Sequence, residues 1–130
     1  MIERHWNADL LAKIFGAIFI VVGIAGFIPN PLVSETGVFR VNEAHNLFHI
    51  VTGLLFLAGA YFDASAWTIR AIAMLYTIVA IAGFAIPDNM LLGAVAMNMA
   101  DRWLHAAFAA VLLLIGFLAP AHEPMRQAHL

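Results

Sequence analysis

The chain has 130 residues, of which 64% are hydrophobic and 11% are charged, and its mean hydropathy is +0.93. This composition lies outside that of soluble globular domains and indicates an integral membrane protein. The six lysine and arginine residues are spread along the chain, so no basic patch could follow a nucleic-acid backbone, and we expect no nucleic-acid partner. Because cysteine is absent, disulfides and thiolate metal sites are excluded, and a metal or haem would need histidine or carboxylate ligands.

Four apolar segments are each long enough to cross a hydrocarbon core of about 30 Å as a helix. They predict helices at about residues 10–28, 43–62, 67–86 and 98–118. Asn42 and Asn98 are the expected N-caps of the second and fourth helices. The connections after the first and third segments contain proline and glycine, so we expect irregular loops there, outside the bilayer core. The predicted fold class is therefore all-α, a four-transmembrane-helix bundle that forms a single integral membrane domain over residues 1–130.

The second half of the chain repeats features of the first half. At a shift of 56 residues, Asn42 falls on Asn98, His45 on Asp101, and His49 on His105. The first and third helices match at a shift of 57, and both contain Ile-Ala-Gly-Phe shortly before an Ile-Pro pair. We predict two tandem helical-hairpin repeats, related by a pseudo-twofold axis along the membrane normal.

The basic residues predict how the helices are oriented. Four of them flank one predicted membrane face, namely Arg4, Lys13, Arg70 and Arg126. Arg40 and Arg102 flank the other face. Because lysine and arginine are enriched on the cytoplasmic side of membrane proteins, we predict that both termini are cytoplasmic.

Two helical faces carry the polar residues that repeat. Three- and four-residue spacing gathers one set on the second helix, Asn42, His45, His49 and Gly53. The same spacing gathers a set on the fourth helix, Asn98, Asp101, His105 and Ala109. If these faces meet, His49 and His105 lie at one depth, in the periplasmic half of the membrane. The small residues Gly53 and Ala109 would let the two backbones approach or leave room for a ligand.

Ionisable side chains inside a membrane are costly and usually face a partner or a water-filled cavity. Three interpretations of the cluster follow. In the first, His49 and His105 are opposed ligands of haem b or of a divalent transition metal, and His45 and Asp101 either complete the metal site or lie around it and hydrogen-bond to its ligands. Alternatively, the cluster is interhelical hydrogen-bond glue in a structural or accessory subunit of a membrane complex. In the third interpretation it lines a cavity for a quinone, a lipid headgroup or a relayed proton.

We favour a binding protein without enzymatic activity. Its cofactor-binding residues are His49 and His105, and its predicted metal ligands are His45, His49, Asp101 and His105. The expected partners are the lipid bilayer, a small-molecule or metal ligand, and a larger membrane complex or a second copy of the chain. Near the outer headgroups we also expect Arg102 and Glu43 to take part in an ion pair between the repeats.

At these residues the chain resembles a family of small bacterial four-helix membrane proteins catalogued as domain of unknown function 4383. The resemblance covers roughly residues 10–120. It rests on Asn42, His45, His49 and Gly53 in the second helix and on Asp101, Leu104 and His105 in the fourth. It implies the four-helix fold and a place in the bacterial inner membrane, and it implies no particular activity.

Overall fold

The computed structural model describes residues 7–118. Its long helices are α1 (Ala8–Ala25), α2 (Glu43–Tyr61), α3 (Ser65–Ala85) and α4 (Met99–Leu113), and α4 continues as a π-helix over Leu114–Leu118. All four are long and apolar enough to cross a membrane. The predicted all-α four-helix fold is therefore confirmed, and the chain is a multi-pass membrane protein. Arg4 and Arg126, which contributed to the predicted orientation, lie outside the described residues.

The first helix ends earlier than the sequence pattern predicts, at Ala25 instead of about residue 28. The side-chain amide of Asn30 donates to the carbonyl of Ala25 at 3.0 Å and to the carbonyl of Val33 at 2.6 Å. These bonds satisfy a carbonyl at the helix terminus and turn the chain into the loop. Hydropathy alone extends the prediction because residues 26–28 are themselves apolar or small.

The two long loops, predicted to be irregular, each contain a short pair of strands. The loop between α1 and α2 pairs β1 (Val33–Ser34) with β2 (Phe39–Arg40) in parallel. The loop between α3 and α4 pairs β3 (Met90–Leu91) with β4 (Val95–Ala96) in an antiparallel arrangement. Strand pairing satisfies the backbone polar groups of loops that lie close to an apolar environment. The two loops differ in pairing, and the internal repeat and its twofold axis stay predictions.

The helices pack as two hairpins, because α1 makes most of its contacts with α2, and α3 makes most of its contacts with α4. A hydrophobic core joins the hairpins and consists of Ala12, Phe19, Phe56, Ala60, Ile69, Ile72, Ala73, Tyr76, Ala80, Ala109 and Leu112. Many large apolar side chains point outward, including those of Val21, Ile78 and Val111. In a bilayer these outward faces contact lipid tails.

The two helices of the first hairpin approach each other closely at Gly53. A Cβ atom placed on this residue would lie 2.7 Å from the carbonyl oxygen of Gly16 and 2.6 Å from Cγ1 of Ile20, both in α1. Gly53 therefore makes room for α1, and the prediction that it makes room for α4 or for a ligand beside His49 is wrong. Small residues at such positions let two membrane helices pack backbone to backbone.

Replacing Gly53 by valine should destabilise the protein, because the side chain would meet the α1 backbone. We expect Gly53→Val to lower the free energy of unfolding by about 1–3 kcal/mol or more, the range for overpacking a dense interior. The control is Leu54→Val, at a neighbouring position whose side chain is 54% exposed. Unfolding in mixed micelles measures the free energy of unfolding of both variants. Equal losses in the two variants would contradict close packing at Gly53.

Candidate functional site

Three histidine rings meet in the interior of the bundle, between α2 and α4. His45, His49 and His105 are all buried. The ring centroid of His45 lies 4.4 Å from that of His49 and 5.5 Å from that of His105. The ring centroids of His49 and His105 are 6.3 Å apart, and these two rings are nearly parallel. The predicted meeting of His49 and His105 is thus observed, and His45 lies beside both of them.

Backbone carbonyls determine which nitrogen carries the proton in two of these rings. The Nδ1 atom of His45 lies 2.6 Å from the carbonyl oxygen of Ala96, and Nδ1 of His105 lies 2.7 Å from the carbonyl oxygen of Asp101. A carbonyl oxygen only accepts, so each Nδ1 donates its proton. In the neutral rings, Nε2 of His45 and of His105 therefore keeps a lone pair.

Within residues 7–118, the cluster leaves ring nitrogens without hydrogen-bond partners. These are Nε2 of His45 and Nδ1 of His49, and both atoms are inaccessible to solvent. A buried polar atom without a partner costs about 1–3 kcal/mol. One nitrogen from each of His45, His49 and His105 can be chosen so that all three lie within 4.8 Å of one another. The cluster therefore offers three converging nitrogen ligands.

Asn42 and Asn98 cap the helices that carry the histidines, as the sequence predicts. They also tie the hairpins together. The amide of Asn42 donates to the carbonyl of Ala94 at 2.8 Å, and the amide of Asn98 donates to the carbonyl of Val38 at 2.9 Å. Each cap thus holds the loop of the opposite hairpin.

Asn42 also positions Ala96, whose carbonyl accepts from the His45 ring. The side-chain oxygen of Asn42 accepts from the backbone N–H of His45 at 3.1 Å and from that of Ala96 at 3.2 Å. Ala96 in turn supplies the carbonyl that accepts from the His45 ring. Asn42 therefore holds both ends of the hydrogen bond that orients this imidazole.

Asp101 is buried, but its side chain does not join the three imidazoles as a further ligand. The carboxylate accepts from the backbone N–H of Asn98 at 3.3 Å, which completes a capping box at the start of α4. It is the backbone carbonyl of Asp101 that reaches the cluster, through His105.

Arg102, the residue after Asp101, is buried and points to the loop between α3 and α4. Its guanidinium donates to the carbonyl of Asp88 at 2.8 Å and to the side-chain oxygen of Asn89 at 3.1 Å. The expected ion pair between Arg102 and Glu43 is not found among the described residues. Arg102 instead satisfies polar groups of its own hairpin.

An aromatic shell surrounds the cluster, and sequence reasoning did not assign it to the site. Phe19 packs its ring edge-to-face on His49 at 5.5 Å, and Tyr76 stacks parallel on His105 at 5.7 Å. The Tyr76 hydroxyl pairs with that of Thr52 at 3.1 Å. A signal for the shell was present in the sequence, since Phe19 and Tyr76 match at the same shift of 57 residues as the first and third helices.

The fold and the cluster together define a small multi-pass membrane protein with a buried three-histidine group. The chain matches the model of a family described as a domain of unknown function (DUF4383) over residues 10–118. Since the match covers most of the chain, the protein belongs to this family. No curated protein and no solved structure matches the chain.

Removing the Asn42 side chain tests whether the hairpins depend on this residue. Asn7 provides a matched control, because it caps α1 through a single bond to the N–H of Leu10. We expect Asn7→Ala to cost about 1 kcal/mol of unfolding free energy. We expect Asn42→Ala to cost about 1–3 kcal/mol more, since two further hydrogen bonds are lost. Unfolding in mixed micelles measures the difference, and equal costs would contradict the role of Asn42 between the hairpins.

Proposed function

We propose that this protein binds a single divalent transition-metal ion through His45, His49 and His105. The observation that carries the proposal is the convergence of three buried imidazole nitrogens within 4.8 Å, in a cluster that leaves two ring nitrogens without partners. Neutral imidazole is a good ligand for zinc, copper, iron and nickel. Three histidines leave a further coordination position open, as in catalytic zinc sites.

The hydrogen bonds of the cluster support the proposal, because metal-binding histidines commonly donate their other ring nitrogen to a carbonyl or carboxylate. His45 and His105 donate from Nδ1 in this way, to Ala96 and Asp101, and each keeps Nε2 for the ion. Zinc–nitrogen bonds of about 2.0–2.1 Å bring tetrahedral ligand atoms to about 3.4 Å from one another. Binding would therefore require the three nitrogens to move closer together, and the soft second torsion of the imidazole rings allows such movement.

A single ion fits this cluster better than haem does. A porphyrin bound by His49 and His105 would have to occupy the space between their rings. The ring of His45 lies beside this space, with its centroid 4.4 Å from that of His49 and 5.5 Å from that of His105. The aromatic rings of Phe19 and Tyr76 close further sides. A haem would therefore displace His45 and part of the shell, whereas an ion uses all three histidines in place.

Metal binding also accounts for the cluster better than interhelical glue. Glue requires side chains that bond to one another across helices, with contributions averaging about 0.6 kcal/mol. In this cluster the bonds run to backbone carbonyls, and Nε2 of His45 and Nδ1 of His49 are left without a partner within residues 7–118. An ion would satisfy these atoms.

Metal content of the purified protein tests the proposal. Protein in detergent is loaded with zinc(II) or with cobalt(II), dialysed, and assayed by elemental analysis and by visible absorption of cobalt. We expect about one ion per chain, since one three-ligand site is proposed. His45→Ala, His49→Ala and His105→Ala should each weaken binding at least tenfold, because even outer ligands contribute about 10–100-fold.

Two control variants separate ligand loss from general damage. Thr52→Val removes a buried hydroxyl beside the cluster, one that pairs with Tyr76, and should keep the ion. Asp101→Asn should also keep it, since the backbone carbonyl that orients His105 is unchanged. No stoichiometric metal in the wild type, or equal binding in the three alanine variants, would overturn the proposal.

We further propose that the described helices form one domain in the bacterial inner membrane, with both termini cytoplasmic. Lys13 of α1 and Arg70 of α3 lie on the side assigned to the cytoplasm, and Arg4 and Arg126 precede and follow the four helices in the sequence, whereas Arg40 and Arg102 lie on the opposite side. This distribution follows the enrichment of basic residues on the cytoplasmic side.

Reporter fusions test this orientation. Alkaline phosphatase, which needs its disulfides and folds in the periplasm, should be active when fused after Thr36 and inactive when fused after Ala64. A fluorescent protein that folds in the cytoplasm provides the opposite control at the same two positions. Phosphatase activity only after Ala64 would reverse the orientation.

A further inference from the structure

A cavity of about 160 Å³ lies next to the histidine cluster, between α1 and α4. Phe19 and Val22 of α1 and Leu104 and Phe108 of α4 are among the residues that line it. The lining is almost entirely apolar and contains no aspartate, glutamate, lysine or arginine. A charged ligand would lose its hydration in this space without gaining a charged partner.

Aromatic rings form much of the cavity wall. Phe19 and Phe108 have ring centroids 5.0 Å apart, and each packs against Tyr76 nearly edge-to-face, at 5.6 Å and 5.4 Å. The rings of His49 and His105 also line the space, so five flat rings surround it. Aromatic walls of this kind interact favourably with another ring by stacked and edge-to-face contacts.

The mouth of the cavity lies on the surface that faces lipid. Ile18 of α1 and Leu104 of α4 both line the cavity, and they are 51% and 47% exposed. Both residues fall within the spans long enough to cross a membrane. The two helices belong to different hairpins and pack mainly on other partners. The cavity therefore opens sideways, into the hydrocarbon core.

We propose that this cavity binds one uncharged, ring-sized aromatic molecule that enters from the bilayer. An apolar cavity of about 150 Å³ is large enough for one benzene ring, and the present cavity has about this size. The flat walls favour a ring over a flexible acyl chain, which loses more rotational freedom on binding. The bound ring contacts the edges of His49 and His105. The inference goes beyond metal binding and does not depend on it.

Fluorine NMR of the protein in nanodiscs tests the inference with 4-fluorotoluene as the probe. The protein is first stripped of metal with a chelator. The wild type should show one bound resonance, distinct from that of probe dissolved in lipid, which saturates at about one probe per chain. If no such resonance is seen, either lipid chains fill the cavity or it does not take a ring, and the inference is overturned.

Neighbouring valines of α1 provide matched variants. Val22→Phe fills the cavity and should reduce the bound resonance at least tenfold. Val21→Phe makes the same change at a position that is 65% exposed and does not line the cavity, and it should leave the resonance unchanged. A bound resonance that survives in Val22→Phe, or that disappears equally in both variants, would overturn the inference.

A second cavity-filling variant and a zinc assay separate the possible outcomes. If Val22→Phe fails to fold, Leu104→Phe fills the cavity from α4 and should reduce the bound resonance by the same factor. Zinc(II) content is measured on the same samples after reloading. A wild type that holds zinc but no probe overturns only the cavity inference, and one that holds the probe but no zinc overturns only the metal proposal.

Discussion

The structure depends on one constraint, that polar groups placed in an apolar environment must be paired. In the hydrocarbon core no water is available to a backbone or side-chain group that lacks a partner. Asn42 and Asn98 meet this constraint at the starts of α2 and α4 by bonding both their own helix and the loop of the opposite hairpin. These bonds bring the two histidine-bearing helices together, and the core then packs below them.

The same constraint explains how two of the histidine rings are oriented and why the unpaired ring nitrogens matter. The backbone carbonyls of Ala96 and Asp101 each accept a hydrogen bond from the Nδ1–H group of His45 and His105, and this orients both rings. One nitrogen from each ring lies within 4.8 Å of the other two, and Nε2 of His45 and Nδ1 of His49 have no partner among the described residues, which is costly for a buried atom. In the proposed metal site, an ion would remove this cost by bonding to the three imidazoles after small ring rotations. The fold supplies the buried imidazoles and, for two of them, the hydrogen bonds that orient the ring.

Periodicity and hydropathy predict the parts of this molecule that are determined locally. Four apolar segments predict four helices, and the spacing of His45 and His49 places them on one face of α2. The match between His49 and His105 predicts that they meet, because residues at equivalent positions of two similar hairpins can lie at equal depth. The prediction of Asn42 as a helix cap is also local and is confirmed.

The roles of Ala96, Gly53 and Asp101 depend on contacts with the backbone, and the type of residue alone does not predict such contacts. Ala96 contributes to the cluster only through its carbonyl, and any residue in its place offers the same group. Gly53 was assigned to the wrong neighbour, because a small residue predicts close approach but not the helix that approaches. Residue type groups Asp101 with candidate metal ligands, and only the structure shows that its carboxylate accepts from the backbone N–H of Asn98 in a capping box.

X-ray absorption of the zinc-loaded protein in membranes tests the central claim most directly, because it reports which atoms surround the ion. We predict that three imidazole nitrogens surround the ion at about 2.0–2.1 Å and give the multiple-scattering pattern of the rings. That pattern should lose one ring in His49→Ala. A shell made only of water or carboxylate oxygens, unchanged in that variant, would contradict the claim that the three histidines form a metal site.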